Sequence, residues 1–191
     1  MKAWTAIGVV VAVGAVVVAA NAPAAMQAGQ EFGAVSDTAA PDLAKLDYLL
    51  GEWNVRSFVR NDSGEFVESP TTSSFRVRYL YDGLSILAEF YGKRRDGFYG
   101  VHVITHDPER GLIHSYFNAR ANRRIEFEGT FRGDEYDLTR LGGYGGGDFL
   151  YRETDSEITS DSFVKRIYQS DDDGNTWVEG DYYFRFERVR R

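Results

Sequence analysis

Several segments of the chain alternate strictly between apolar and polar side chains. Residues 74–81 and 124–132 place aromatic or aliphatic side chains, or glycine, at nearly every second position, with serine, arginine or glutamate between them. A period of two is that of a β-strand with one buried face and one solvated face. Stretches rich in Gly, Asp and Asn separate about ten such segments, at the spacing expected of hairpins. The pattern predicts an all-β fold of antiparallel strands.

One short helix is predicted before the strands. Pro41 begins it, Gly51 is expected to cap its C-terminus, and its apolar stripe consists of Leu43, Leu46, Leu49 and Leu50. The sheet that follows must protect its edges from pairing with other chains. Closure into an up-and-down barrel does so most completely, and a sandwich is the alternative.

The first residues have the pattern of a secretory signal peptide. Ala6–Ala20 is an unbroken run of small and apolar residues, and a small-x-small site follows, with cleavage expected after Ala24. An uncleaved membrane anchor is the alternative, but the run is shorter than the ~20 residues that span a bilayer. We therefore expect a signal peptide at 1–24, a disordered leader at 25–41, a barrel domain at 42–191, and a periplasmic or secreted protein without stable membrane insertion.

Composition narrows the classes of partner and chemistry. The chain of 191 residues has a formal net charge of −7, which disfavours nucleic acid as a partner. It contains no cysteine, so disulfides, thiol catalysis and thiolate metal sites are excluded. It has 12 tyrosines and 13 phenylalanines, which suit an amphipathic ligand in a cavity, although aromatic residues are also common in strands.

An acidic stretch near the C-terminus, SDDDGNTW at 170–177, does not fit a calcium loop. Its aspartates are consecutive, and the twelfth position counted from Asp171 is Tyr182, where an EF-hand carries glutamate. The stretch does match Ser-x-Asp-x-Gly-x-Thr-Trp and resembles the Asp-box hairpin of sialidases and other β-proteins. The resemblance implies a turn between the last two strands, in which Asp172 bonds turn amides, Gly174 takes a positive φ and Trp177 packs under the turn.

The segment Leu-Leu-Gly-x-Trp at 49–53 carries a second resemblance. It is similar to the entrance of lipocalins and fatty-acid-binding proteins, where the tryptophan closes one barrel end and an arginine of the last strand lies across it. Gly51 and Trp53 would have these structural roles here. The arginine is left open among Arg185, Arg188 and Arg190.

The order of three motifs extends this resemblance over residues 43–188. Leu-Leu-Gly-x-Trp, a Thr-His-Asp-Pro turn and a late Asp-Gly-x-Thr-Trp resemble a lipocalin-like, calycin-type barrel family of bacterial proteins of unknown function. The barrel of nitrobindin is also similar, but it ligates haem through a histidine near its C-terminus. This chain has no histidine after His114, so the resemblance implies no haem, and we expect no cofactor.

The three histidines belong to one predicted hairpin. A turn at 107–111 places His106 opposite Leu112, Ile104 opposite His114 and His102 opposite Tyr116, all on one face. Two interpretations remain open. Either the opposite, apolar face lines the interior and the histidines are exposed, or the histidines and Tyr116 line a polar cavity.

No sequence motif of catalysis or metal binding is present. The chain has no HExxH spacing, and Ser85 does not lie in a Gly-x-Ser-x-Gly elbow. Residues 142–147 are rich in glycine but lack the Lys-Ser/Thr of a phosphate loop, so a hairpin loop at the barrel mouth is predicted. We therefore assign no catalytic residue and no metal ligand. An enzyme that uses His102 or His114 as general base remains an alternative.

These observations favour a barrel that binds a small apolar or amphipathic molecule. The candidate cavity residues are Tyr79, His102, His114, Tyr116, Arg140 and Tyr151. A further alternative is a non-enzymatic interaction module that acts as a homodimer through its outer surface, because the strands at 99–104 and 113–117 are apolar on both faces.

Overall fold

The computed structural model describes residues 41–92, 99–118, 123–144 and 146–190. The expected signal peptide at 1–24 lies outside the described residues, as does the leader except for Pro41, which begins the helix. Within the described ranges, none of the helices has the length and apolar character needed to cross a membrane.

The described chain is all-β apart from short helical turns. Helix α1 spans Pro41–Ala44, and 3-10 turns span Asp47–Leu49 and Tyr81–Gly83. The ten strands are β1 Gly51–Arg60, β2 Phe66–Leu80, β3 Ser85–Gly92, β4 Tyr99–Asp107, β5 Gly111–Asn118, β6 Arg123–Arg132, β7 Glu135–Gly143, β8 Gly146–Ser156, β9 Ser162–Ser170 and β10 Val178–Arg188.

The strands close into one antiparallel barrel in which each strand pairs with its neighbours in sequence. β10 closes the barrel on β1, with Trp53 opposite Arg188 and Val59 opposite Tyr182. Closure leaves no free sheet edge to pair with another chain. The predicted up-and-down barrel is confirmed, and the sandwich alternative is wrong.

The predicted period of two sets which side chains point inward. On β1, Trp53 and Val55 are buried, whereas Asn54 between them is exposed. On β6, Phe127 is buried between the exposed Glu126 and Glu128. The interior is largely apolar and aromatic, which supplies the burial that a chain without disulfides depends on.

One end of the barrel is closed by the plug, which we define as Leu43, Leu46, Leu49 and Trp53. All four are nearly or fully buried. The Trp53 indole N–H donates to the Leu49 carbonyl at 2.8 Å, so the helical segment and the barrel wall are joined at this point.

Arg188 is the arginine that lies across the plug. Its guanidinium is 4.2 Å from the centre of the Trp53 ring, and it donates hydrogen bonds to the carbonyls of Leu50 and Tyr48. Gly51 begins β1 with φ +119°, and a β-carbon there would lie 2.6 Å from Arg188. The prediction that Gly51 caps a helix is wrong by one residue, because the cap of the 3-10 turn is Leu50, whose N–H donates to the Asp47 carbonyl. Gly51 instead gives Arg188 room to reach the plug.

The acidic stretch at 170–177 forms the turn between β9 and β10. Asp172 accepts bonds from the amide and the hydroxyl of Thr176, at 2.8 and 2.6 Å, and from the Ser170 hydroxyl at 2.7 Å. Gly174 has φ +85° and lies against the Trp177 ring, over which the Arg152 guanidinium packs at 4.0 Å. The hydrogen bonds fix the conformation of the turn, and the contact with Arg152 joins Trp177 to β8.

Candidate functional site

The barrel interior is hollow. A cavity of about 440 Å³ extends from the plug, near Leu49 and Phe163, toward the opposite end, near Thr71 and Tyr182. Protein interiors are normally packed as densely as organic crystals, so a void of this size is a distinct feature. It exists because β1, β2 and β3 direct small side chains inward, namely Ser57, Thr71, Ser73, Ala88 and Gly92.

The cavity has two chemically different halves. The half formed by β10, β1, β2 and β3 carries the small side chains and an aromatic wall, which we define as Phe75, Phe90, Tyr182, Phe184 and Phe186. The half formed by β4, β5, β8 and β9 carries ionisable side chains, namely His102, His114, Glu153, Asp155 and Lys165. A molecule inside the barrel therefore meets an apolar surface on one side and hydrogen-bonding groups on the other.

Lys165 joins two carboxylates at the centre of the polar half. Its ammonium nitrogen is 2.8 Å from Asp155 Oδ1 and 3.3 Å from Glu153 Oε2. The side chains of Lys165, Glu153 and Asp155 are 14%, 6% and 2% exposed, so their charges are poorly solvated. Burial raises the pKa of Asp155, although Lys165 and Tyr48 oppose the shift. Burial also opposes the charge of Lys165, but its two carboxylate partners raise the pKa of the ammonium and keep it protonated.

Tyrosines donate further hydrogen bonds to both carboxylates. Tyr48, from the segment that follows α1, donates to Asp155 Oδ2 at 2.7 Å. Tyr144 and Tyr151 donate to Glu153 Oε1 at 2.6 and 3.3 Å. Burial, together with the nearby carboxylates, raises the pKa of Tyr48 and Tyr144, so both phenols remain hydrogen-bond donors at neutral pH.

The two cavity histidines are adjacent and uncharged. The rings of His102 and His114 meet edge to face, with centroids 6.1 Å apart, and His114 Nε2 lies 2.7 Å from the Tyr136 hydroxyl. Burial lowers the pKa of His102 to about 4, although Glu153 acts in the opposite direction. Burial and the neighbouring His102 also lower the pKa of His114 well below its ordinary value. Both imidazoles are therefore neutral at neutral pH and offer one donor and one acceptor each.

The predicted register of the histidine hairpin is confirmed in all three pairs. Of the two interpretations left open, the polar-cavity one holds for His102 and His114, which line the cavity. His106 does not line the cavity. Its Nε2 instead lies 3.6 Å from the carboxylate of Asp42 in α1.

Tyr151 joins the histidines in the cavity wall, whereas three other predicted cavity residues lie elsewhere. Tyr116 is buried behind His102, at 4.7 Å between ring centres, and borders a smaller hollow. Tyr79 donates to Asp47 beside the plug, and burial with this bond raises its pKa to about 12. Arg140 donates to the Leu141 carbonyl, with its guanidinium 5.7 Å from the centre of the Phe127 ring. Placing these three in the cavity wall was wrong, because Tyr79 is held by Asp47, Arg140 by the Leu141 carbonyl, and Tyr116 lies behind His102.

Glu153, Asp155 and Lys165 were missed by the sequence reasoning. A signal for Lys165 exists, since it interrupts the inward-facing series Phe163, Lys165, Ile167, where the flanking residues are apolar. Glu153 and Asp155 likewise share a face with Tyr151 at a spacing of two. A charged residue within an apolar strand face is unusual and indicates a buried partner.

The described residues contain no group of three or more His, Asp or Glu side chains arranged to hold a metal ion. Tyr144, which follows β7 in the glycine-rich stretch, donates its hydroxyl to Glu153. The site thus presents a carboxylate pair, one ammonium, two neutral imidazoles and several phenols around a hollow.

Comparison with solved structures supports the fold. The barrel is similar to Rv2717c from M. tuberculosis, with a TM-score of 0.50 and 12% identity, covering 80% of this chain and 100% of the other. A protein of unknown function from the DUF3598 family of Nostoc punctiforme matches with a TM-score of 0.46 and 16% identity, covering 75% of this chain and 49% of the other. No family model and no curated protein matches the chain. The first likeness supports the fold, a closed antiparallel barrel of ten strands.

Proposed function

We propose that this protein binds a small amphipathic molecule inside its barrel. The observation that carries the proposal is the cavity of about 440 Å³, which falls in the size range of small-molecule sites. Because a water molecule takes up about 30 Å³ in the liquid, the cavity has room for a ligand of about fifteen non-hydrogen atoms. Filling it would restore the contacts that the lining side chains lack in the empty barrel.

The two halves of the cavity support an amphipathic ligand over a purely apolar one. The aromatic wall offers an apolar surface, and Glu153, Lys165 and His102 face the same space with polar atoms. An apolar molecule would keep water away from those atoms and offer them no hydrogen bond in its place, which is unfavourable. A ligand with a polar group at one end satisfies both halves.

We further propose that the protein is exported to the periplasm or secreted, as the first 24 residues indicate, and that nucleic acid is not a partner, given the net charge of −7. Two other functions remain predictions. His102 and His114, neutral and beside the cavity, would suit an enzyme that uses one of them as general base. A homodimer would use the outer surface of β4 and β5, where Phe117 is 41% exposed.

A pair of substitutions on β2 tests the binding proposal. Ser73 lines the cavity, whereas its neighbour Ser74 belongs to the opposite face of the strand. Titration calorimetry with decan-1-ol should show saturable binding to the native protein and to Ser74→Phe, but not to Ser73→Phe, whose ring occupies the cavity. Unchanged binding by Ser73→Phe would contradict a site inside the barrel.

A further inference from the structure

The fixed charges of the cavity wall do not balance. Glu153 and Asp155 face a single ammonium, Lys165, which lies 3.3 and 2.8 Å from them. Among the described residues that line the cavity, Lys165 is the one permanently cationic group, and the two carboxylates already hold it. With both carboxylates ionised, the wall carries one net negative charge, which a solute entering the cavity meets at low effective dielectric.

The aromatic wall on the other side of the cavity also suits a positively charged ligand. The aromatic wall consists of rings that pack edge to face on one another, with centroids 5.4 Å apart for Phe75 and Phe186 and 5.6 Å apart for Tyr182 and Phe184. The face of an aromatic ring carries partial negative charge and attracts ammonium groups. A carboxylate has no such attraction to a ring face, and Glu153 would repel it.

Two acceptors in the polar half have capacity left for a donor. His102 lines the cavity and makes no hydrogen bond within the part of the chain that the structure describes, so its neutral ring has an unused acceptor nitrogen. Glu153 Oε2 is contacted there by Lys165 alone, at 3.3 Å, while Oε1 takes both tyrosine hydroxyls. A carboxylate oxygen accepts two hydrogen bonds, so Oε2 has room for one more.

We infer that the ligand carries a protonated amine or another ammonium group, seated at Glu153 and His102 with its apolar part against the aromatic wall. This inference rests on the proposed binding function and specifies the chemical class of the ligand. A protonated amine supplies several N–H donors and one positive charge, which matches the two unused acceptors and the charge of the wall. The structure therefore disfavours a fatty carboxylate as ligand.

Three probes with the same ten-carbon chain test the inference at pH 7. Decylamine, decan-1-ol and decanoate differ only in the charge and hydrogen bonding of the polar group. Differences between their dissociation constants, measured by titration calorimetry, therefore report the contribution of the polar group to binding. Since a hydrogen bond to a charged group contributes the equivalent of roughly tenfold to hundredfold in affinity, decylamine should bind at least about tenfold tighter than decan-1-ol. Decanoate should bind most weakly.

Substitutions test which residue causes the preference for decylamine. Glu153→Gln keeps the shape of the side chain and removes its charge, so the preference for decylamine over decan-1-ol should fall about tenfold. Glu179→Gln is the matched control, because Glu179 pairs with Arg60 and Arg166 away from the cavity. Ser73→Phe should abolish decylamine binding. Binding that persists in Ser73→Phe would show that the amine is attracted to the acidic surface and would overturn the inference.

The outcomes separate the two claims. Equal affinity for decylamine and decan-1-ol overturns the inference and leaves the binding function standing. Binding of none of the three probes contradicts the binding function itself. The comparison of probes on the native protein decides both points even if Glu153→Gln does not fold.

Discussion

Lys165 is the cation that offsets the two buried carboxylates of the cavity wall. The substitution Lys165→Met removes this positive charge and keeps a side chain of similar length. The substitution leaves Glu153 and Asp155 facing each other in a cavity wall where they are 6% and 2% exposed. Their tyrosine partners remain, but no cation offsets the two charges. Removing one partner from a buried ion pair typically costs about 3–5 kcal/mol, because an uncompensated buried charge is left. We expect a loss of that size in the free energy of unfolding at pH 7.

The loss should depend on pH in a defined direction. Burial already raises the pKa of Asp155, and without Lys165, which opposes this shift, the pKa of Asp155 rises further. A carboxyl whose pKa is higher in the folded than in the unfolded state favours folding below its unfolded pKa, and this contribution is lost as the pH rises through the folded pKa. The variant should therefore recover part of its stability between pH 7 and pH 5, as the buried Asp155 takes up a proton.

Urea unfolding followed by tryptophan fluorescence at pH 7 and pH 5 measures both effects. Lys45→Met is the matched control, because Lys45 is 56% exposed and pairs with Asp42 on the surface. Exposed pairs contribute about 0–1 kcal/mol, so this control should change little. A loss below about 1 kcal/mol for Lys165→Met, or a loss equal at both pH values, would refute the account of the buried cluster.

Other predictions concern the histidine pair and the turn at 170–177. Because burial lowers the pKa of His102 to about 4, its neutral form stabilises the fold above pH 6.5, and up to about 3 kcal/mol is lost as the pH falls from 6.5 to 4. In the double variant His102→Gln, His114→Gln, the melting temperature should depend less on pH in this range, whereas His106→Gln should leave the dependence unchanged. Identical pH profiles of the melting temperature in the double variant and the native protein would contradict buried neutral rings. Hydrogen bonds within the turn lower the pKa of Asp172 to about 2, so its stabilising effect is present above pH 3.8 and lost toward pH 2. Asp172→Ala should lower the melting temperature at pH 7 more than Asp171→Ala, and equal melting temperatures would show that the turn bonds contribute nothing.

Much of the fold could be predicted because local patterns determine it. The period of two gives the strands and their inward faces, and the turn at 107–111 fixes the register of the histidine hairpin. The Gly-x-Trp segment correctly indicated Trp53 at a closed barrel end, while the sequence left three arginines open for the position that Arg188 occupies. That choice depends on the register between β1 and β10, which are far apart in sequence.

The candidate site was less predictable because it depends on closure of the barrel. β4 and β5 carry apolar side chains on both faces, so their pattern alone does not show which face points inward. The cavity arises from small residues on three separate strands, none of which is unusual by itself. The pairing of Lys165 with Asp155 follows from the alignment of β8 and β9, in which the two residues lie directly opposite.

The central claim is that the barrel is hollow and takes up a small molecule. Methyl NMR tests this claim most directly. Ala88 and Ile104 line the cavity, whereas Val59 and Val67 are exposed on the outside. Titration with decan-1-ol should shift the methyl resonances of Ala88 and Ile104 to a saturating value and leave those of Val59 and Val67 in place. Shifts confined to the two valines, or no saturable shift at Ala88 and Ile104, would contradict it.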